Sequence, residues 1–97
     1  MNNKNVSKIY RIVQSIPCGQ VATYAYVAEK AGMRHAARYV GNVLNKNRNP
    51  EVPCHRVVRA GGSIGGFRSG SRATIRLLRS EGVHIRGDCV GAAHLLQ

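Results

Sequence analysis

Val6, Ile9, Tyr10, Val13 and Ile16 recur at three- and four-residue intervals near the start of the chain, the spacing that lines apolar side chains along one face of a helix. Pro17 and Gly19 follow and end that helix, since proline offers no amide hydrogen and glycine favours a turn. A second helix is predicted over about 24–31, with Val27, Ala28 and Ala31 inward. Thr23 stands where an N-cap hydroxyl is wanted, and Gly32 where a left-handed C-terminal cap is wanted. The turn Gly32-Met33-Arg34-His35 leads to a third helix over about 35–45, with Ala36, Val40, Val43 and Leu44 on one face and Ala37, Arg38, Gly41 and Asn45 on the other. Two short helices joined by a glycine-containing turn predict a helix-turn-helix over about 23–45. From Glu51 to Phe67 apolar stretches alternate with glycine turns, which predicts short strands around a hairpin. A last helix over about 71–80 turns Ile75 and Leu78 inward, sets Arg72, Arg76 and Arg79 on a common face, and leaves Glu81 just past its end. No repeat, linker or low-complexity tract interrupts this order, so the expectation is one domain over 1–97. Its class is α/β, mainly α: a winged-helix-like helix-turn-helix, a small β hairpin and a closing C-terminal helix.

Charge adds a partner to this picture. Fifteen Lys and Arg oppose four Asp and Glu, a formal +11 with histidines neutral, and such a surplus calls for a polyanion. The exposed face of the third helix narrows the kind of contact. Helices that read base edges in the major groove carry long polar side chains, whereas this face offers Ala37 and Gly41 around a single Arg38. Small residues let a helix backbone approach a narrow surface such as the minor groove, while one long cation reaches further in. The same residues also suit a plainer role, Gly41 permitting close helix packing and Arg38 standing in solvent; the spacing leaves both open. No apolar run is long enough to span a membrane, and the first residues lack the apolar core of a signal peptide, so the protein is expected inside the cell. Three cysteines, Cys18, Cys54 and Cys89, are an odd number, and a free thiol follows.

The sharpest chemical signal is Pro53-Cys54-His55-Arg56. A thiol reacts as its thiolate, and an unperturbed pKa of about 8.5 leaves only a few per cent ionised at neutral pH, so a base or a nearby cation is needed. His55, Arg56 and Arg59 are candidates for both, and Glu81, one carboxylate among many cations, can orient His55. Side chains of consecutive residues diverge on an extended strand, so Cys54 and His55 need a turn or a bridging water to cooperate. Two other readings fit the same residues. Cys54 can be a small buried hydrophobe, or His84, Cys89 and His94 near the C-terminus can be zinc ligands, although no ligand pair has the usual zinc spacing.

The chain as a whole resembles the C-terminal, DNA-binding domain of the O6-alkylguanine-DNA alkyltransferases, also called methylated-DNA-protein-cysteine methyltransferases. IPCGQVATYAYVAEKAG is similar to the family's proline-glycine-valine-threonine-tyrosine segment, AARYVGNVL to its recognition helix, and PCHRVV to its active-site signature. GGSIGGFRSG and LLRSEG are similar to the substrate-loop and closing-helix segments that follow. The resemblance implies an active-site loop over about 46–58 and a substrate loop over about 61–70. It implies that Cys54 is the alkyl acceptor, that His55 draws off its proton through a water, that Glu81 orients His55, and that Asn47 braces the active-site turn. Tyr24 is similar to the tyrosine that crowds the target phosphate and hydrogen-bonds the flipped base, and Arg38 to the finger that fills the vacated stack, with Ala37 and Gly41 beside it on the DNA-facing helix. The carbonyls of Cys54 and Val57 and the backbone N–H of Arg68 fall where the family reads guanine's edge, and Leu44 lines that pocket. Two residues depart from the pattern: Tyr39 beside the finger and Arg68 in the substrate loop are both larger than the family's usual residues. A subfamily of alkyltransferase-like proteins carries tryptophan in place of the cysteine, so Cys54 implies transfer as well as recognition. The rival is a non-catalytic module, either a lesion flag or a small helix-turn-helix regulator. The implied partner is double-stranded DNA containing O6-alkylguanine, with no cofactor, no metal and no membrane, acting once as a monomer. The family's usual N-terminal domain is not among these residues, which leaves two expectations open, a naturally minimal protein or one domain of a larger one; an N-terminal or nuclease domain as a separate partner is fixed in neither case.

Overall fold

The computed structural model of the chain describes residues 3–64 and 71–96. Helix α1 spans Asn3–Gln14, α2 Tyr24–Lys30, α3 Ala37–Asn45 and α4 Ser71–Ser80. Ile9, Val13 and Ile16 are fully buried, as the apolar spacing predicts, but α1 stops at Gln14 because Pro17 pushes the preceding residue out of helical backbone geometry. The Thr23 hydroxyl accepts the Tyr26 amide at 3.0 Å and caps α2, and Gly32 takes φ 77° just after it. The third helix starts two residues later than its apolar spacing suggests. His35 is left-handed at φ 66°, which no right-handed helix accommodates, and Ala36 in the N-cap position supplies no capping side chain.

The hairpin is the main departure from expectation. Residues 54–56 form one 3-10 turn, and strand β2, Val57–Val58, pairs with no neighbour among the described residues of 51–67, whose last three lie outside the description; it pairs in parallel with β1, Ala22–Thr23, more than thirty residues upstream. Local alternation cannot reveal a partner that distant. A hairpin does exist, between β3, Ile85–Arg86, and β4, Cys89–Val90, turning at Gly87 with φ 63°. The β1–β2 pair divides the interior. Ala22 and Val57 point into one core with α1, α2 and α3, while Val21 and Val58 point into a second with Ile64, Leu78, Val83 and Val90. The chain's last turn, Ala92–His94, closes on that seam: His94 O accepts the Val21 amide and Val21 O accepts the Leu96 amide, both at 2.8 Å. Gly62 lies so close to β4 that a Cβ there would sit 2.8 Å from Val90 O, so the backbone at Gly62 is fixed against the hairpin.

Candidate active site

The turn required for Cys54 and His55 to cooperate is present. Pro53 leads into the 3-10 turn Cys54–Arg56, which gathers three chemically active side chains within one revolution of backbone at the end of the first core. Cys54 opens on a cleft of about 360 Å³ between the end of α3 and the flank of α4, lined by Leu44, Asn47, His55, Thr74 and Leu77 among others. Leu77, half exposed at 49%, is the large apolar side chain left open to solvent among the described residues, and it stands at this cleft.

His55 Nε2 lies 2.8 Å from Glu81 Oε2. The Glu81 carboxyl is pulled by two opposing effects: burial raises its pKa, but hydrogen bonds from Arg56 and His55 outweigh burial and hold it below the ordinary carboxylate range. An ionised carboxylate only accepts, so Nε2 must carry the hydrogen, and in the neutral ring Nδ1 is left as a base. Arg56 has a different task from the one its position suggests. Its Nε and Nη2 fork onto Glu81 at 3.0 and 2.9 Å while Nη1 donates to Ile16 O at 2.9 Å, so it fixes Glu81 to the end of the first helical segment. Sequence reasoning cast Arg56 as a thiol activator and missed this tether; a cation beside the chemistry and a lone carboxylate downstream were the only available hints.

The thiol itself is not poised as an anion. Burial pushes its pKa up, opposed by the hydrogen bond from Asn47. Asn47 Nδ2 donates to Cys54 Sγ at 3.2 Å, and the thiol faces Leu44 O at 3.8 Å. The amide orientation of Asn47 is set by Asn49, whose N–H donates to Oδ1 and whose carbonyl accepts from Nδ2, both at 3.0 Å. A donor is thus aimed at sulfur, where it favours the thiolate once formed. Among the described residues, the hydrogen-bond partners of Sγ are Asn47 Nδ2 and Leu44 O.

On α3, Arg38 is exposed and Ala37 and Gly41 are partly exposed, while Val40, Val43 and Leu44 are buried. Exposed Arg38 fits both readings of this face, and Gly41 bears on the packing one. A Cβ there would lie 3.8 Å from Tyr24 Cε1, an ordinary contact, so interior packing does not demand glycine. The α3 N-terminus has no capping side chain and no acid in its first turn, and Arg38 adds a cation to the positive end of the helix dipole. An anion outside the protein would relieve both. Tyr24, against Gly41, has its phenol pushed up to about 12, chiefly by burial and then by Cys54, with Arg59 opposing, so it stays protonated. Tyr39 is half-buried and leans on the first core. The Val57 side chain is buried in β2, leaving only its backbone for a ligand, and Arg68 lies outside the described residues.

The zinc alternative finds no geometry. Among the described residues no group of three His, Cys, Asp or Glu could hold a metal, and both ring nitrogens of His94 are engaged, Nδ1 with Gly19 O at 2.9 Å and Nε2 with the His84 amide at 3.3 Å. Cys18, Cys54 and Cys89 are all free thiols. No helix among the described residues is long and apolar enough to cross a membrane.

Residues 5–83 match the family described as 6-O-methylguanine DNA methyltransferase, DNA binding domain. A methylated-DNA–protein-cysteine methyltransferase of Methanothermobacter thermautotrophicus is 41% identical over 82 residues, covering 84% of this chain and 46% of that protein. A bifunctional methyltransferase/endonuclease of Picrophilus torridus is 39% identical over 80 residues, 81% of this chain and 27% of that protein. The chain therefore spans less than half the length of either relative. Among solved structures, S. pombe Atl1 in complex with damaged DNA containing O6-carboxymethylguanine superposes with a TM-score of 0.81 at 32% identity, covering 89% of this chain and 82% of that one.

Proposed function

The chain belongs to the 6-O-methylguanine DNA methyltransferase family, matching its DNA-binding domain, and from that premise we propose that it takes an alkyl group from O6 of guanine in duplex DNA onto its own Cys54. The observation that carries the proposal is the juxtaposition of a cysteine at a cleft with an adjacent histidine held by a carboxylate. In this reading α3 lies along the DNA, Arg38 takes the place of the extruded guanine, and the small residues Ala37 and Gly41 let the helix backbone come close. The base enters the cleft beside Leu44, where the protonated Tyr24 donates to it. The Cys54 proton passes through a water to Nδ1 of His55, and Glu81 stabilises the resulting imidazolium. Sulfur attacks the alkyl carbon, a C–S bond forms as the C–O bond breaks, and the guanine takes the electron pair and is reprotonated. The product is a thioether with no route back to thiol, so each molecule reacts once.

The likeness to Atl1 favours one second reading, lesion binding without transfer. A single measurement separates them: intact-protein mass spectrometry after incubation with a duplex containing O6-methylguanine. Transfer adds one CH2, a methyl replacing the thiol hydrogen, located on Cys54. The variants Cys54→Ala and Cys54→Ser are expected to gain nothing yet still bind the lesion duplex. Persistent transfer in Cys54→Ala, with Cys18 or Cys89 modified instead, would sink the assignment, and lesion binding by wild type with no mass gain would establish the second reading.

A further inference from the structure

Helix α4 has two working flanks, and the proposed reaction uses only one. Ala73, Thr74 and Leu77 face the reactive cleft. Arg72, Arg76 and Arg79, with Ile75, border a separate groove of about 410 Å³ whose far wall includes Gly87 at the tip of the β3–β4 hairpin. At about 100° per residue the two flanks lie roughly 140° apart around the helix. All three arginines are exposed, and the ion pairs recorded among the described residues are made instead by His55 and Arg56, both with Glu81. Arg86, also exposed, adds a fourth cation next to Gly87; Asp88, the one acid in the hairpin turn, has the Cys89 thiol as its recorded side-chain contact.

The chemistry of the groove selects its occupant. A protein partner needs an apolar centre with anchoring side chains, and here Ile75 is the sole large apolar group. A sugar-phosphate backbone needs only cations at suitable spacing. From Arg72 to Arg79 the helix rises about 10 Å, which matches three steps of one DNA strand at about 3.4 Å each. The cleft and the end of α3 meet one flank of α4, and this groove lies on another, so it is a surface separate from the one proposed for the first duplex. We propose that this groove is a second nucleic-acid contact, gripping the backbone of another duplex segment while α3 and the cleft engage the first. This rests on the reading that α3 faces DNA; the second grip would hold the protein on DNA between lesions and bring separate segments together.

The test uses the full chain with two short undamaged duplexes, one carrying a donor dye and the other an acceptor, titrated at low salt. Wild type is expected to bring the dyes together. The triple variant Arg72→Ala, Arg76→Ala, Arg79→Ala is expected to lose that signal and to flatten the slope of log affinity against log salt by about 2 to 3, one phosphate contact per arginine. The triple variant to lysine keeps both. Removing three charges elsewhere, with Lys8→Ala, Arg11→Ala and Lys30→Ala, is expected to leave the dye signal in place, which separates location from net charge. If the triple alanine protein misfolds by circular dichroism, the single reversal Arg76→Glu is read in the same way. Transfer from free O6-benzylguanine, followed by the mass of Cys54, should be the same in wild type and the α4 variants, so a failure of the proposed chemistry shows there and not in the dyes. Absence of dye transfer with wild type, or its persistence in the triple alanine or the Arg76→Glu protein, would overturn the second contact.

Discussion

The two cores on either side of the β1–β2 pair are built in different ways. The first, around Ile9, Val13, Val27, Val40 and Val43, is made by three short amphipathic helices whose apolar faces follow from local spacing. The second, around Ile64, Leu78, Val83 and Val90, contains a single helix and is held by contacts between residues far apart in sequence. Arg56 reaches Ile16 across 40 residues, His55 reaches Glu81 across 26, and His94 reaches Gly19 across 75. The difference shows where each job sits. The locally encoded core presents α3 as a rigid face, while the candidate chemistry lies on the seam, where its geometry depends on both cores being docked.

Breaking the seam should therefore do the greatest damage. Glu81→Gln removes the negative charge shared by His55 and Arg56 and leaves one acceptor oxygen where there were two, and single-turnover transfer should fall by about 10²- to 10⁴-fold on duplex and on free O6-benzylguanine alike, the range expected for losing an oriented base. Its effect on stability has a definite sign. A carboxyl held below its ordinary pKa stabilises the fold fully above the ordinary carboxylate range, and that contribution fades as pH falls through the depressed value. Urea unfolding from neutral pH into acid should show this loss in wild type and a flatter profile in Glu81→Gln.

Disturbing only the first core's exposed face should divide the substrates. Arg38→Ala should slow repair of an O6-methylguanine duplex by about ten- to a hundredfold, because extrusion costs a few kcal/mol and its support is gone, with free O6-benzylguanine reacting at the wild-type rate. Equal slowing on both would mean that Arg38 supports the site and not extrusion. A milder probe sits one turn away. Gly41→Ala should stabilise α3 by up to about 1 kcal/mol, since the interior has room for the methyl, and weaken duplex binding by crowding its outer surface. A thermal melt and a binding isotherm on the same variant check both halves; unchanged binding would mean that glycine serves neither side.

The smallest effect concerns the thiols. Alkylation by iodoacetamide should be slower at Cys54 than at exposed Cys18 and Cys89, with a pH midpoint displaced upward, because burial favours the neutral thiol. Peptide mapping across a pH series reads it, and a Cys54 midpoint below the ordinary thiol range would contradict the geometry described.

Legibility followed the same division. The faces of α1, α2 and α3, the Thr23 cap and the left-handed Gly32 were all readable, because each depends on neighbours within about one turn. The hairpin was misplaced for the converse reason: β2 finds its partner near residue 22, and nothing in 51–67 signals that. At the site, Cys54, His55 and Glu81 could be nominated by residue type. The fork from Arg56 and the donor from Asn47 could not be derived from spacing, since both depend on how a 3-10 turn aims side chains across the seam.

The upward displacement of the Cys54 thiol has a meaning beyond rate. Peroxides and stray electrophiles attack thiolates, and if Cys54 takes up an alkyl group irreversibly, as proposed, any such encounter would waste the molecule. A sulfur stored in its neutral form, with the Asn47 donor aimed at it and the proposed base His55 held by Glu81, would be chemically quiet until the right carbon is placed against it. Shelf life and selectivity then come from the same burial.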